Sequence, residues 1–415
     1  MARESGFDLA GNQGDLDLIS QQYIGDPAGT LREARANCPI FYSETMSCWI
    51  FTRYADIRAA LMDFQTYSNA TLAAAPVPEQ YQDRVPTNFF AKSFNAMDPP
   101  EHNPVRKAGH SGFTSERLER YVEPITAATN ELIDGFIADG RCELMADFCH
   151  ELSHRTITAF LGLPDSDIPR LKQLAEDLPR VFTDHLTPMP EAEKLLRWQR
   201  VADLRDYFRD VIAQRRASPS TDFVSLLIKA RGEDGEPFLT DDRIITHMTE
   251  MVFAGTDTTA NLIARAVILL DQNKAQLDKV KHDPELLPGA IEEALRLGGS
   301  VNGLFRKTTR PVEIEGHVIP AGAIVYMSTG SADQDAAQFK QPESFDVARK
   351  EASQHLAFGK GRHLCMGAPL ARLETRIALQ ALYQRLPNLR VVPGQHFEYD
   401  PILLSVMLKS LQVEW

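Results

Sequence analysis

Ten residues near the C-terminus, Phe358-Gly359-Lys360-Gly361-Arg362-His363-Leu364-Cys365-Met366-Gly367, form the densest chemical signal in the chain. Met366 to Leu386, which follows Cys365, has helical periodicity. The sulfur therefore sits where the positive end of a helix dipole and free N–H groups stabilise a thiolate. The flanking glycines let N–H groups turn towards it, and Gly367 allows close approach of a planar ligand. These features suit a thiolate bound to a metal. Three other readings stay open: an inert core cysteine, a phosphate loop whose third glycine position is filled by Leu364, and a nucleophile with His363 as base.

A second unusual run is Ala254-Gly255-Thr256-Asp257-Thr258-Thr259. The spacing predicts one helix over Thr240 to Gln272, with Thr240 as N-cap and Asp241 and Asp242 at its positive end. At 1.5 Å per residue its ~33 residues span about 50 Å, enough to cross the core. Inside such a helix glycine lowers stability, threonine turns its hydroxyl back to the carbonyl four residues earlier, and a buried aspartate needs partners. The run reads either as a polar, slightly bent core helix or as a local opening. In the second case Ala254 and Gly255 admit a flat ligand, while Asp257 and Thr258 relay protons. Glu250, four residues before Ala254, shares that face. It is either satisfied by protein groups or water, or it reads a polar substrate group.

These residues need a scaffold. The 415 residues carry 43% hydrophobic and 24% charged side chains, enough for a sizeable core. The net charge is −13, which argues against a nucleic-acid-coating protein. Five irregularly spaced cysteines (38, 48, 142, 149, 365) do not make a disulfide framework. No apolar run approaches the ~18 residues of a membrane span, and Met1 to Ala10 does not read as a signal peptide. The expectation is a cytoplasmic protein with neither nucleic acid nor membrane as partner. Residues 39–52, 312–327 and 395–415 read as β-rich, with a helical body over 98–310 and 366–386. The fold class is mainly α with a smaller β-rich lobe, as one domain over 1–415. Residues 70–95 read as a long irregular loop, functional or merely mobile.

Assembled, these motifs resemble those of the cytochrome P450 family of soluble bacterial haem-thiolate monooxygenases. Residues 254–259 match its Ala/Gly-Gly-x-Asp/Glu-Thr-Thr pattern. Glu293-Ala294-Leu295-Arg296 matches its structural Glu-x-x-Arg, and Phe345 to Arg349 resembles the segment completing that ion cluster. Residues 358–367 match Phe-x-x-Gly-x-x-x-Cys-x-Gly. The resemblance implies haem b with Cys365 as iron ligand, flanked by Phe358 and Gly367. It implies propionate contacts from His102, Arg106, Arg306 and His363, a haem wall at Ala254 and Gly255, and proton delivery during dioxygen activation by Asp257 and Thr258. Phe253, Val301, Leu304 and Leu403, with Glu250, become the substrate contacts.

The implied reaction inserts one atom of dioxygen into a small or medium hydrophobic molecule, hydroxylation foremost. Two electrons would come from a separate ferredoxin or flavodoxin, received on a basic face near Arg106 and Arg362. A haem-binding sensor or carrier and a peroxide-driven haem enzyme are the alternatives. The sequence departs from the family pattern in lacking a proline before Val301, in Asp333-Gln334-Asp335, and at Pro104.

Overall fold

Alternating apolar residues in Ile40–Ser43 (β1) and Cys48–Phe51 (β2) form an antiparallel hairpin, Ile40 facing Phe51 and Ser43 facing Cys48. In this computed structural model, which describes residues 16–70, 76–175, 178, 181, 189–232, 235–402 and 405–415, that hairpin starts a five-stranded sheet. The remaining strands are Tyr67–Ser68 (β3), Leu304–Thr308 (β5) and Ile324–Met327 (β8), in the order β1-β2-β8-β5-β3. Strand β8 runs parallel to β2 and antiparallel to β5. Tyr54, Ile57 and Phe339 cover one face, and Leu16, Tyr23 and Leu31 the other. Arg141–Glu143 (β4) pairs with Gln412–Glu414 (β12), which also pairs with Arg390–Val391 (β9). Val312–Ile314 (β6) with His317–Ile319 (β7), and Tyr399–Ile402 (β10) with Ser405–Leu408 (β11), are hairpins. Residues 304–308 are thus strand, not part of the helical body. Residues 324–327 leave the expected 312–327 hairpin to join the large sheet.

The helical body is built chiefly from His102–His110 (α1), Ser115–Phe136 (α2), His150–Leu161 (α3), Glu191–Ala217 (α4), Asp241–Gly255 (α5), Asp257–Gln272 (α6), Leu287–Gly298 (α7) and Ala368–Arg385 (α8). Their apolar faces share one core that includes Phe148, Phe160, Trp198, Phe208, Ile263 and Leu382. Among the described residues no helix is long and apolar enough to cross a membrane.

The expected 240–272 helix is two helices. The Thr240 hydroxyl accepts from the Arg243 N–H and caps α5 as the sequence predicts. At Thr256 (φ −87°, ψ −72°) the ladder breaks and α6 starts again at Asp257. Thr256 and Thr258 donate their hydroxyls to the carbonyls of Val252 (3.0 Å) and Ala254 (2.6 Å), which competes with the backbone ladder at that point. The 76–97 segment is irregular with three short tight turns, and it is well anchored. Arg84 bonds Asp203 and Asp206 of α4, and Tyr81 donates to the Leu195 carbonyl. The fully buried Arg205 reaches the Arg84 carbonyl and Asp242.

Candidate functional site

The Cys365 loop is shaped by two left-handed glycines, Gly359 (φ +69°) and Gly361 (φ +73°). At Gly361 a side chain would lie 2.6 Å from the Leu61 carbonyl oxygen. The loop closes through the Cys365 N–H to the Phe358 carbonyl (2.8 Å). Arg372 covers the Phe358 ring at 4.7 Å and makes a two-pronged bond to Glu292 (2.6 and 2.9 Å), which His355 also meets at 3.2 Å. Cys365 is the exposed cysteine of the five. Surrounding protein is nonetheless dense enough that desolvation pushes its thiol up. The N–H groups of Gly367 and Ala368 at the start of α8, with Arg106 and Arg372, pull the other way and favour the thiolate.

Beside the sulfur four basic side chains converge. The His102 and His363 rings lie 4.3 Å apart. None of their four ring nitrogens has hydrogen-bond geometry to a described residue; Asn103 is near His102 without it. Arg106 donates one nitrogen to the Leu364 carbonyl and leaves Nη1 buried and unpartnered among the described residues. Arg306 is buried, donating to its neighbour's carbonyl. Burial holds Arg306 down at about 10 and His363 at about 3, and the charges of His102, Arg306 and Arg106 press His363 further down. Buried donors without acceptors are costly. Asp98 opposes the fall of Arg306, but its oxygens already accept from Ser68 and the Asn69 N–H. Among the described residues the ring nitrogens of His102 and His363 and Arg106 Nη1 thus have no acceptor, and a dianionic ligand bound at Cys365 would supply acceptors. The donor set therefore fits haem and its two propionates.

On α5 and α6, Ala254 is exposed, and Phe253 and Thr258 are half-buried. Gly255 serves another purpose than the expected ligand wall. A Cβ there would lie 2.9 Å from Ile157 Cδ1, so glycine lets α3 approach. Asp257 Oδ1 lies 3.6 Å from His150 Nδ1, both side chains about a third exposed (38% and 34%). His150 opens α3 immediately after a wide five-residue turn, Met145–Cys149, a geometry frequent at functional sites. The Thr258 carbonyl accepts from Ser300 (2.7 Å), which Asn261 holds at 3.1 Å.

Two substrate expectations change, and a third falls outside the described residues. Glu250 does not face a pocket. Buried to 5% exposure, it accepts from the N–H groups of Phe94 (3.0 Å) and Asn95 (3.4 Å) and from His247 Nδ1 (3.1 Å). Val301 lines a cavity of about 80 Å³ with Ile24, Arg265, Asn302 and Val406, to which Ala254, Thr258 and Cys365 do not contribute. Leu403 lies outside the described residues. Leu304 is half-buried beside Gly359 of the Cys365 loop. Sequence reasoning missed Phe94, whose ring covers His102 and Arg106, and it missed His150 and His247. Each meets its partner across a distance in sequence, or in a register, that no local motif encodes.

The family model described as "Cytochrome P450" matches residues 172–412. The chain is 32% identical over 412 residues to cytochrome P450 monooxygenase PikC of Streptomyces venezuelae, covering 97% of this chain and 94% of that one. It is 35% identical over 375 residues to cyclomarin C epoxidase CymV of Salinispora arenicola, covering 89% and 91%. The solved P450 heme domain of Tepidiphilus thermophilus superposes with a TM-score of 0.87 at 29% identity, covering 97% and 96%. With a helical body, a small sheet and a cysteine loop built as described, this chain belongs to the cytochrome P450 family, whose members are haem-dependent monooxygenases.

Proposed function

We propose that Cys365 Sγ would ligate the iron of haem b, and that His102, Arg106, Arg306 and His363 would hold its two propionates. The observation that carries this is the exposed cysteine at the start of α8 beside His102, His363 and Arg106, whose buried nitrogens have no acceptor among the described residues. Phe358, held under Arg372, and Gly367 frame the sulfur, and Ala254 forms the opposite wall. The cofactor supplies the redox chemistry that cleaves dioxygen and transfers one of its atoms to a substrate bond. Cys365 contributes negative charge, stabilised by the Gly367 and Ala368 N–H groups. Asp257, in reach of His150 and solvent, takes up protons, and Thr258 holds its hydroxyl at the Ala254 carbonyl where α5 ends. Proton transfer between placed groups of this kind contributes ~10²–10⁴-fold in rate.

The substrate in this reading is a small or medium hydrophobic molecule bordered by Phe253, Ala254 and Leu304, hydroxylated at a C–H bond. Epoxidation, for which CymV is named, is the same transfer onto an alkene. A cytoplasmic ferredoxin or flavodoxin supplies electrons at the face where exposed Lys107 and Arg362 lie, the latter held by Asn103 (3.1 Å) and the Phe64 ring (4.4 Å). The test is the absorbance of the reduced protein under carbon monoxide. The wild type gives the long-wavelength thiolate band and Cys365→Ser does not; an unchanged band in that variant removes Cys365 as ligand. Screening hydrophobic compounds for displacement of the haem band then sorts substrates.

A further inference from the structure

Glu250 makes its three hydrogen bonds inside the chain. Oε2 accepts from the Phe94 N–H and from His247, and Oε1 from the Asn95 N–H. Both side chains of the Glu250–His247 pair are 6% exposed, which leaves no face for a ligand. The Phe94 and Asn95 amides open a three-residue turn whose own preceding residue, Ser93, offers no side-chain cap. The first N–H groups of a turn have no partner within it, so a carboxylate from a distant helix does the capping.

What this fixes is the Phe94 ring. It is 5% exposed and lies 5.3 Å from the His102 ring, tilted by 32°. Arg106 stacks over it at 5.2 Å, and His247 meets its edge at 6.2 Å. His102 has no hydrogen bond among the described residues to orient its ring, and Arg106 Nη1 has none either. Besides the Leu364 carbonyl that holds the other Arg106 nitrogen and the His363 ring 4.3 Å from His102, packing on Phe94 is the contact that both side chains share.

We propose that Glu250 is a positioning residue for the cofactor's acidic edge: it fixes the Phe94 backbone, and the Phe94 ring braces His102 and Arg106 towards the propionates. This rests on the reading that His102 and Arg106 meet those propionates, and the test separates the two. Holoprotein is prepared for the wild type, Glu250→Ala, Glu250→Gln and Arg106→Ala. Three quantities are read: the propionate bending bands in resonance Raman spectra, the rate of haem transfer to apomyoglobin, and amide hydrogen exchange.

Arg106→Ala shifts the propionate bands directly. Glu250→Ala shifts the same bands, speeds exchange at the 94 and 95 amides but not along α8, and speeds haem transfer roughly tenfold, the worth of one bond to a charged group. Glu250→Gln retains an oxygen acceptor and restores most of each signal, which a general loss of stability would not do. Should Glu250→Ala yield no holoprotein, Phe94→Leu carries the test, shifting the bands while the 94 and 95 amides stay protected. Bands unmoved by Glu250→Ala or Phe94→Leu, with Arg106→Ala moving them, overturn the proposal. Bands unmoved by Arg106→Ala overturn the propionate reading and this proposal with it.

Discussion

Replacing Arg296 by methionine tests whether the ion cluster between α7 and the 342–349 segment holds the structure behind the cysteine loop. Glu293 and Arg296 are both fully buried and joined by two bonds (2.6 and 3.0 Å). Arg296 also donates to the carbonyls of Asp333 (2.9 Å), Pro342 (2.6 Å) and Ser344 (3.0 Å) and lies over the Phe339 ring at 5.2 Å. Arg349 Nε stands 3.1 Å from Glu293 Oε1 without aligned N–H geometry, so it contributes attraction more than a directed bond. The Asp346 N–H completes the carboxylate at 3.0 Å. The balance is one carboxylate against two guanidiniums. Arg296→Met removes both directed bonds to the buried Glu293 carboxylate, leaves it only the poorly aligned Arg349 as a cationic partner, and strips three carbonyls of a donor; removing one partner of such a buried pair costs ~3–5 kcal/mol. At the lower figure the ratio of folded to unfolded protein falls by roughly two orders of magnitude. Urea titration of the holoprotein, followed by tryptophan fluorescence and circular dichroism, measures it. Because both partners are buried, added salt does not reduce the effect. Glu293→Met combined with Arg296→Met costs less than the sum of the single changes, since the Glu293–Arg296 pair is lost once rather than twice, and Arg349 keeps Glu351 at 3.5 Å. A loss under ~1 kcal/mol for Arg296→Met, or strict additivity in the double variant, refutes the reasoning.

Thr258→Ala removes the hydroxyl held 2.6 Å from the Ala254 carbonyl; product formed per electron pair supplied falls several-fold and hydrogen peroxide takes its place, so undiminished coupling excludes Thr258 from proton delivery. Glu292 carries a pH dependence. Burial alone would raise its carboxyl, but Arg372 and His355 override this and hold it at about 2 against an ordinary 4.5. Its stabilisation is present above the ordinary value and is lost as pH falls from there towards the folded value. Glu292→Gln is therefore less stable than wild type at neutral pH, and the gap in melting temperature closes between about pH 4.5 and pH 2; a gap independent of pH contradicts this.

The sequence was most informative where function depends on spacing within one segment. Cys365, its glycines and the helix behind it lie within one continuous segment, Gly359 to Arg385, so residue order alone encodes a sulfur at a helix start. The Thr240 cap and the start of α5 were legible for the same reason. The break at Thr256 was anticipated only as a slight bend, because the pattern shows competing hydroxyls but not how far the ladder yields. Glu250 shows a different limit. The sequence shows it as an odd carboxylate on a core helix, but the backbone amides it meets belong to residues 94 and 95, over 150 positions earlier. Gly255 likewise suggested room for a ligand, and the room is taken by Ile157. Residues 304–308 read as part of the helical body because strand character there depends on partners at 67–68 and 324–327.

Strand β2 finds its parallel neighbour β8 some 270 residues later, Trp49 facing Val325 and Phe51 facing Met327. During synthesis the β1–β2 hairpin therefore emerges with one side unsatisfied and must wait for most of the polypeptide. Long-range pairing of this kind slows acquisition of the native state, and an unpaired apolar edge invites association with other nascent chains. Expression yield should accordingly respond to translation speed and chaperone supply, and fragments ending before residue 324 should precipitate through this hairpin.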